Sequence, residues 1–246
     1  MLTVNELSYS FTDTGVGKSV LDNISIHVQA GEFVSIIGES GSGKSTLFGL
    51  ISGLLQPEQG EIILNGKLTH QRLGKVGYMP QKDLLLPWRT VLDNIILPIE
   101  ITKGSLEEKK EGIRKWLIRF GLSDYEKFYP HELSGGMRQR TAFLRTLMTG
   151  KNLLLLDEPF GALDSFTKRS MHEWLLGIWE DLNKTVLFIT HDLEEAILLS
   201  DRIYVLKRFE KSCIEVKIPL SRPRCSEFIY TQEFLKIRKS LERLLR

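Results

Sequence analysis

The apolar positions change period as the chain runs. Residues 2–11 and 20–28 alternate apolar with polar, the pattern of half-buried strands, with a polar, glycine-containing turn over 12–19 between them. Phe33-Val34-Ser35-Ile36-Ile37 is short, apolar and β-branched, which predicts a buried strand, and Leu47 to Ile51 reads as the start of a helix. Residues 53–60 carry Pro57 and Gly60 and read as a loop. Glu61 to Leu64 then reads as a short strand stopped by the Asn65-Gly66 turn, and Val76 to Met79 as another.

From about residue 83 to 150 the spacing becomes helical. Val91 to Leu97, Leu106 to Phe120 and Ser134 to Met148 read as helices, punctuated by Pro98, Gly104, Gly121 and Pro130. Strands and helices then alternate. Leu153 to Leu156 is a strand, Ser165 to Leu182 a long helix, Thr185 to Ile189 a strand, Leu193 to Leu199 a helix and Arg202 to Leu206 a strand. The last stretch, Thr231 to Leu245, places Phe234, Leu235, Ile237, Leu241, Leu244 and Leu245 at helical spacing. It predicts an amphipathic helix that covers the core or meets a partner. The pieces predict an α/β core with an N-terminal antiparallel β patch and an inserted helical subdomain.

One loop carries specific chemistry. Gly38-Glu39-Ser40-Gly41-Ser42-Gly43-Lys44-Ser45-Thr46 fits the phosphate-binding pattern G-x-x-x-x-G-K-[ST] at every fixed position, and it lies between a predicted strand and a predicted helix. Glycines let the backbone curl so that successive N–H groups point at phosphate oxygens, and the helix N-terminus adds partial positive charge. Lys44 would reach the β- and γ-phosphates and the Ser45 hydroxyl would ligate Mg²⁺.

Leu153-Leu154-Leu155-Leu156-Asp157-Glu158-Pro159 is an apolar strand ending in two carboxylates. The first can hold a metal directly or through water, and the second can activate a water molecule. Ser134-Gly135-Gly136 opens a strongly helical run, so it forms a helix N-terminus with bare backbone amides, a second anion site. One nucleotide does not need two such sites far apart in sequence; two copies of the chain facing each other would use one from each. His191 follows the apolar run Thr185 to Ile189 and precedes an acidic helix start, at a strand's carboxyl end where open α/β sheets bind ligands.

Composition adds bounds. The chain has 246 residues, 42% hydrophobic and 26% charged, enough for one large domain. The net charge of +2 is unevenly spread, with +7 over residues 202–246 and −5 over the rest. The basic end faces anionic lipid or a partner's acids, or is a solvated helix face. No basic stretch interleaves with aromatics as nucleic-acid binding asks. Cys213 and Cys225 have no C-x-x-C spacing, which argues against a zinc site or a disulfide framework and suits a reducing compartment. No secretory leader is expected, and no run approaches the ~20 apolar residues of a membrane helix.

At these motifs the chain resembles the nucleotide-binding subunit of ATP-binding cassette (ABC) transporters. The phosphate loop, Leu133-Ser134-Gly135-Gly136-Met137-Arg138-Gln139-Arg140 and the Leu-Leu-Leu-Asp-Glu-Pro strand match in order and spacing, over nearly the whole chain. The resemblance implies a P-loop NTPase (RecA-like) core in a single domain over 1–246. It implies that two subunits close head to tail over two ATP molecules, each held between residues 38–46 of one copy and Ser134, Gly135, Gly136 and Gln139 of the other. Glu158 would be the general base and His191 would contact the γ-phosphate. Gln81 and Ser45 would ligate Mg²⁺ with support from Asp157. Gly161-Ala162-Leu163-Asp164 resembles the D-loop, whose Asp164 would couple the two sites. Phe11, with Tyr9 second, would stack on adenine; core packing is the alternative for Phe11.

The same resemblance implies a cytoplasmic location at the membrane, a separate permease and, indirectly, an extracellular solute-binding protein. The permease would dock around Gln81, Leu85 and Trp88, although Leu85 and Trp88 equally suit packing of the helical subdomain. Leu85-Leu86-Pro87-Trp88-Arg89 and Pro219 to Arg224 are similar to importers of the nitrate, sulfonate and taurine group, which includes importers of pyrimidine precursors. No sizeable regulatory domain is expected after His191. Two rivals remain: a soluble ABC ATPase acting on nucleic acid or ribosomes, and a non-hydrolysing nucleotide-binding regulator. Long insertions, coiled coils or a second cassette would favour the first rival; the presence of both Glu158 and His191 argues against the second.

Overall fold

The structure, a computed structural model, describes residues 1–11, 18–161, 163–182, 184–208 and 212–245. The alternating N-terminal segments form β1 (Leu2–Phe11) and β2 (Lys18–Val28). With β4 (Gln59–Leu64) and β5 (Lys67–Leu68) they make an antiparallel sheet in the order β2-β1-β4-β5. Most of the expected turn over 12–19 lies outside the described residues.

The continuous apolar runs form a second sheet. It contains β3 (Phe33–Ile37), β6 (Gly77–Met79), β7 (Leu153–Asp157), β8 (Thr185–Ile189), β9 (Arg202–Leu206) and β10 (Cys213–Lys217). Its order is β10-β9-β3-β8-β7-β6, parallel throughout except for the edge strand β10.

These runs do not alternate because both faces are covered. Leu154, Leu156, Val186 and Phe188 face α2 (Val91–Ile101), α4 (Gly135–Leu147) and α5 (Ser165–Leu182). α3 (Leu106–Arg119) adds Ile113 and Leu117 to that core. Leu153, Leu155, Leu187 and Ile189 face α1 (Lys44–Ser52) and the antiparallel sheet. A third cluster joins α6 (Leu193–Leu199) and α7 (Gln232–Leu245) to Ile37, Ile203 and Val205. In α7 Phe234 and Leu241 are fully buried, so this helix covers the core, while Leu235 faces outward.

Several boundaries differ from the sequence reading. α2 runs through Pro98, because Val91, Ile95 and Ile99 recur at four-residue spacing and all are buried. The missing proline N–H there costs one bond near a helix end, where burial outweighs it. β4 starts at Gln59, which pairs with Ser8 across a bulge in β1. β5 and β10 have no counterpart in the sequence reading.

Two buried arginines close helix C-termini that carry no basic residue of their own. Arg72, 2% exposed, donates from Nε to the Leu50 carbonyl at the end of α1 (2.9 Å). Arg224, 6% exposed, donates to the carbonyls of Ile197, Leu198 and Ser200 at the end of α6 and twice to Leu220. Carbonyls at a helix C-terminus carry the negative end of the helix dipole, and the Leu50 carbonyl otherwise accepts from the Gly53 N–H at 3.2 Å. Burial, with Arg222 nearby, pushes the Arg224 pKa down to about 10, which leaves it charged at neutral pH. Arg224→Met strands these acceptors and is expected to cost about 3 kcal/mol. Denaturant midpoints check this; an unshifted midpoint would contradict the capping role.

Candidate functional site

Four parallel strands, β3, β8, β7 and β6, lie side by side, so their carboxyl ends meet at one edge of the sheet. Ligands of open α/β sheets bind outside that edge. Past β3 the chain turns through residues 38–43 into α1, which begins at Lys44, three residues before the expected start.

Two glycines make the turn possible. Gly43 has φ +96°, and a Cβ there would stand 2.6 Å from Leu21 Cδ2. A Cβ on Gly38 would strike the Leu206 carbonyl oxygen. Lys44, 7% exposed, folds its side chain back over the loop, donating from Nζ to the carbonyls of Gly38 (2.8 Å) and Glu39 (3.0 Å). Burial lowers its pKa, while Glu158 and Asp157 pull it back up. The buried Ser42 hydroxyl has no hydrogen-bond partner among the described residues.

The other strands bring the acids and their neighbours. Asp157, at the end of β7, accepts from Ser45 Oγ at 3.3 Å. Burial raises its pKa and the Glu158 charge adds to this; Ser45, Lys44 and Tyr78 act the other way. Tyr78, in β6, has its own pKa pushed up to about 12, by burial and then by the Asp157 charge. Glu158 sits at φ +43°, a left-handed conformation that costs a residue with a Cβ about 1–2 kcal/mol. Its backbone N–H is tied to the Ile189 carbonyl at 2.9 Å. Gln81 Nε2 donates to Glu158 Oε2 (3.1 Å), and His191 Nδ1 lies 3.3 Å from the same oxygen. Gly38, Ser40, Gly41, Gly43, Lys44, Ser45, Thr46, Gln81, Glu158 and His191 line one open cavity of ≈ 410 Å³.

The second expected anion site lies elsewhere. Ser134 caps α4, its Oγ accepting from Met137 N–H at 3.3 Å. Gly135 and Gln139 line a separate cavity of ≈ 550 Å³ with Lys82, Asp83, Arg138, Gly161 and Leu163; Gln81 is on both walls. Gln139 is buried, and its Oε1 has no partner among the described residues. Asp164 caps α5, accepting from Thr167 N–H at 3.0 Å. Ala162 beside it lies outside the described residues.

Phe11 is 42% exposed at the end of β1, its ring 5.1 Å from Tyr9 in an edge contact; Tyr9 packs against the core. Leu85 and Trp88 part company. Leu85 is buried among the helices, so it packs rather than faces a partner, whereas Trp88 is 71% exposed. Leu84 takes the outward place, at φ +45°, and the sequence reading had not singled it out. That reading also missed Tyr78, although a tyrosine three positions before Gln81 in a strand leading to the site was a usable signal.

Among the described residues, no three His, Cys, Asp or Glu side chains form a metal cluster. Magnesium does not require one: it takes one or two carboxylates plus substrate phosphates and waters. The paired Ser45 hydroxyl and Asp157 carboxylate, with the Gln81 amide on the cavity wall, fit that demand.

The sequence model of the ABC transporter family matches residues 21–161. The chain belongs to the ABC transporter family. It is 45% identical to the formylaminopyrimidine import ATP-binding protein ThiZ of Halalkalibacterium halodurans, over 100% of this chain and 95% of that protein. It is 42% identical to the aliphatic sulfonates import ATP-binding protein SsuB of Bacillus cereus, over 98% and 94%. A solved dimer of the ATP-binding cassette MJ0796, in a post-hydrolysis state bound to ADP and Pi, superposes with a TM-score of 0.78 at 31% identity, covering 90% of this chain and all of that one. The fold is therefore that of an ABC ATPase cassette, a P-loop NTPase core.

Gly43→Ala forces a methyl group into Leu21 at a φ that disfavours any Cβ. It is expected to lose about 1–2 kcal/mol from the backbone term alone and to distort the loop. A lowered thermal midpoint with lost nucleotide binding is the expected pair of results; wild-type values for both would contradict the loop geometry.

Proposed function

We propose that this chain is the ATP-hydrolysing, energy-coupling subunit of a bacterial importer, acting as a pair. The observation that carries it is the meeting of Lys44, the Ser45–Asp157 pair, Glu158, Gln81 and His191 at the carboxyl ends of four adjacent strands. The names of the relatives, both import ATP-binding proteins, support the importer class. Their solutes, a formylaminopyrimidine and aliphatic sulfonates, give the class proposed here: a small pyrimidine precursor or an anionic solute of the sulfonate, nitrate or taurine type. The domain is proposed as one unit over 1–246, with residues 83–150 as a helical subdomain.

Phosphoryl transfer is mostly positioning and charge stabilisation. Residues 38–46 wrap the phosphates with backbone amides, and Lys44 leaves the Gly38 and Glu39 carbonyls for the β- and γ-phosphates. The orphaned Ser42 hydroxyl gains an acceptor. Ser45, Gln81 and Asp157 would hold Mg²⁺, which would neutralise part of the triphosphate charge. Glu158 takes the proton of the attacking water as general base. His191 and Gln81 orient its carboxylate, and His191 faces the γ-phosphate. Phe11 stacks on adenine.

Closure brings a second copy. Within one chain Gly135 and Gln139 line a different cavity from the phosphate loop, and His191, with a side chain 58% exposed, leaves the γ-phosphate side uncovered. Two copies facing each other place Ser134, Gly135, Gly136 and Gln139 of one over the nucleotide of the other, with Asp164 between the sites. A dimeric relative is consistent with this. No helix among the described residues is long and apolar enough to cross a membrane. The chain is proposed to sit at the cytoplasmic face, docked on a permease through the surface around Gln81, Leu84 and Trp88, with a solute-binding protein outside and no nucleic acid partner.

Glu158→Gln is expected to keep ATP affinity within about threefold and to lose turnover by roughly 100-fold or more, the range of a lost general base. Unchanged phosphate release would remove Glu158 from that role. Ser134→Arg is expected to leave nucleotide binding by the single chain intact and to block pairing. Sedimentation of the Glu158→Gln, Ser134→Arg double variant with ATP checks this; a persistent ATP-driven dimer would refute the shared site.

A further inference from the structure

Away from the nucleotide cavity, a buried set of charges ties α5 to the segment that carries His191. Glu195, 2% exposed in the first turn of α6, is its centre. Its Oε1 accepts from Lys168 Nζ at 2.8 Å and lies 3.0 Å from His172 Nε2. Its Oε2 accepts from the Thr190 hydroxyl. Thr190 Oγ1 in turn accepts from Asp192 N–H at 3.0 Å. Asp192 caps α6 through Glu194 N–H (2.8 Å) and Glu195 N–H (3.4 Å), and also pairs with Lys168 at 2.8 Å. Thr190, before His191, is thus bonded to the Glu195 carboxylate, and Asp192, after it, is tied to the same carboxylate through Thr190 and Lys168. None of Lys168, His172, Glu195 and Thr190 lines the nucleotide cavity.

Lys168 and His172 are one helical turn apart on α5, so they grip the first turn of α6 from one face. Burial works against the Lys168 charge, yet Asp192 and Glu195 outweigh it and hold its pKa above the ordinary lysine value. Asp192, despite burial, is held below the ordinary carboxylate value by Lys168. A buried carboxylate with partners on both oxygens is costly to disturb, so the joint moves as a unit. Asp164 caps the same end of α5, one turn before Lys168, with the Lys168 N–H bonded to the Asp164 carbonyl at 2.9 Å.

We propose that Glu195, gripped by Lys168 and His172, is a positioning residue that holds His191 against Glu158 and makes its placement follow the Asp164 end of α5. This rests on the ATPase reading above and deepens it. The route is short: Asp164 begins α5, α5 carries Lys168 and His172, these fix Glu195, Glu195 fixes residues 190–192, and His191 Nδ1 lies 3.3 Å from Glu158 Oε2. A second copy that pushes on Asp164 thereby moves the group that orients the base.

The test is a coupling measurement on the purified full chain. Glu195→Gln keeps the shape and removes the charge, and Lys168→Met is the second variant. Each is expected to lower kcat by roughly 10-fold with KM and ATP affinity within about twofold. In the His191→Ala background each is expected to cost nothing further, as groups acting through one side chain do. Losses that multiply with His191→Ala, or a fall confined to KM, would overturn the proposal. The ¹⁵N imidazole resonances of His191 give a readout without turnover. They are expected to shift in both variants, and unmoved resonances would overturn the proposal even if the chain failed to hydrolyse ATP. Absent turnover in the wild-type chain with shifted resonances would instead remove the ATPase reading and leave the joint standing.

Discussion

The site depends on the register of the parallel sheet. Asp157 pairs with Ile189 and Met79 with Leu156, while Ile36 pairs with Ile189 on the other side of β8. These pairings bring the phosphate loop, the acids, Gln81 and His191 to one edge. A slip of one residue would turn every side chain to the opposite face. Such a slip is resisted because both faces are buried: Leu153 and Leu155 pack one way, Leu154 and Leu156 the other. The hydrophobic core therefore sets the geometry of the polar site.

Around that edge the polar groups are held in ways that favour later exchange. Lys44 is occupied by two carbonyls, Ser42 by nothing among the described residues, and Glu158 by Gln81 and His191 in a left-handed turn. The left-handed Glu158 and the unpaired Ser42 hydroxyl both sit at this edge, whereas Arg72 and Arg224 satisfy the distant helix ends. The joint through Glu195 belongs to the second kind in its bonding, yet it touches the segment that carries His191.

Much of this was legible in the chain. The parallel strands announced themselves as apolar runs, and the phosphate loop as a spacing of glycines before Lys44. The helical segment over 83–150 showed in its period. The rest depended on tertiary contacts that spacing does not encode. Pro98 looked like a break because its lost bond is local, while the burial of Ile99 is not. β10 is short and half exposed, so its pattern was weak. Leu85 and Trp88 could not be separated, since both residue types serve cores and interfaces, and only burial tells them apart. The burial of Arg72, Arg224 and Glu195 could not be read from spacing, because their main partners lie on other elements.

The central claim is that one triphosphate is held by amides from two copies of this chain. A structure of the ATP-bound protein, taken where turnover is supported but stalled by Glu158→Gln, tests it most directly. The account predicts the terminal phosphoryl group within hydrogen-bonding reach of Lys44 of one copy and of the Gly135–Gly136 amides of the other. A nucleotide fully bound by a single copy, with residues 134–136 of any second copy remote from the phosphates, would contradict it.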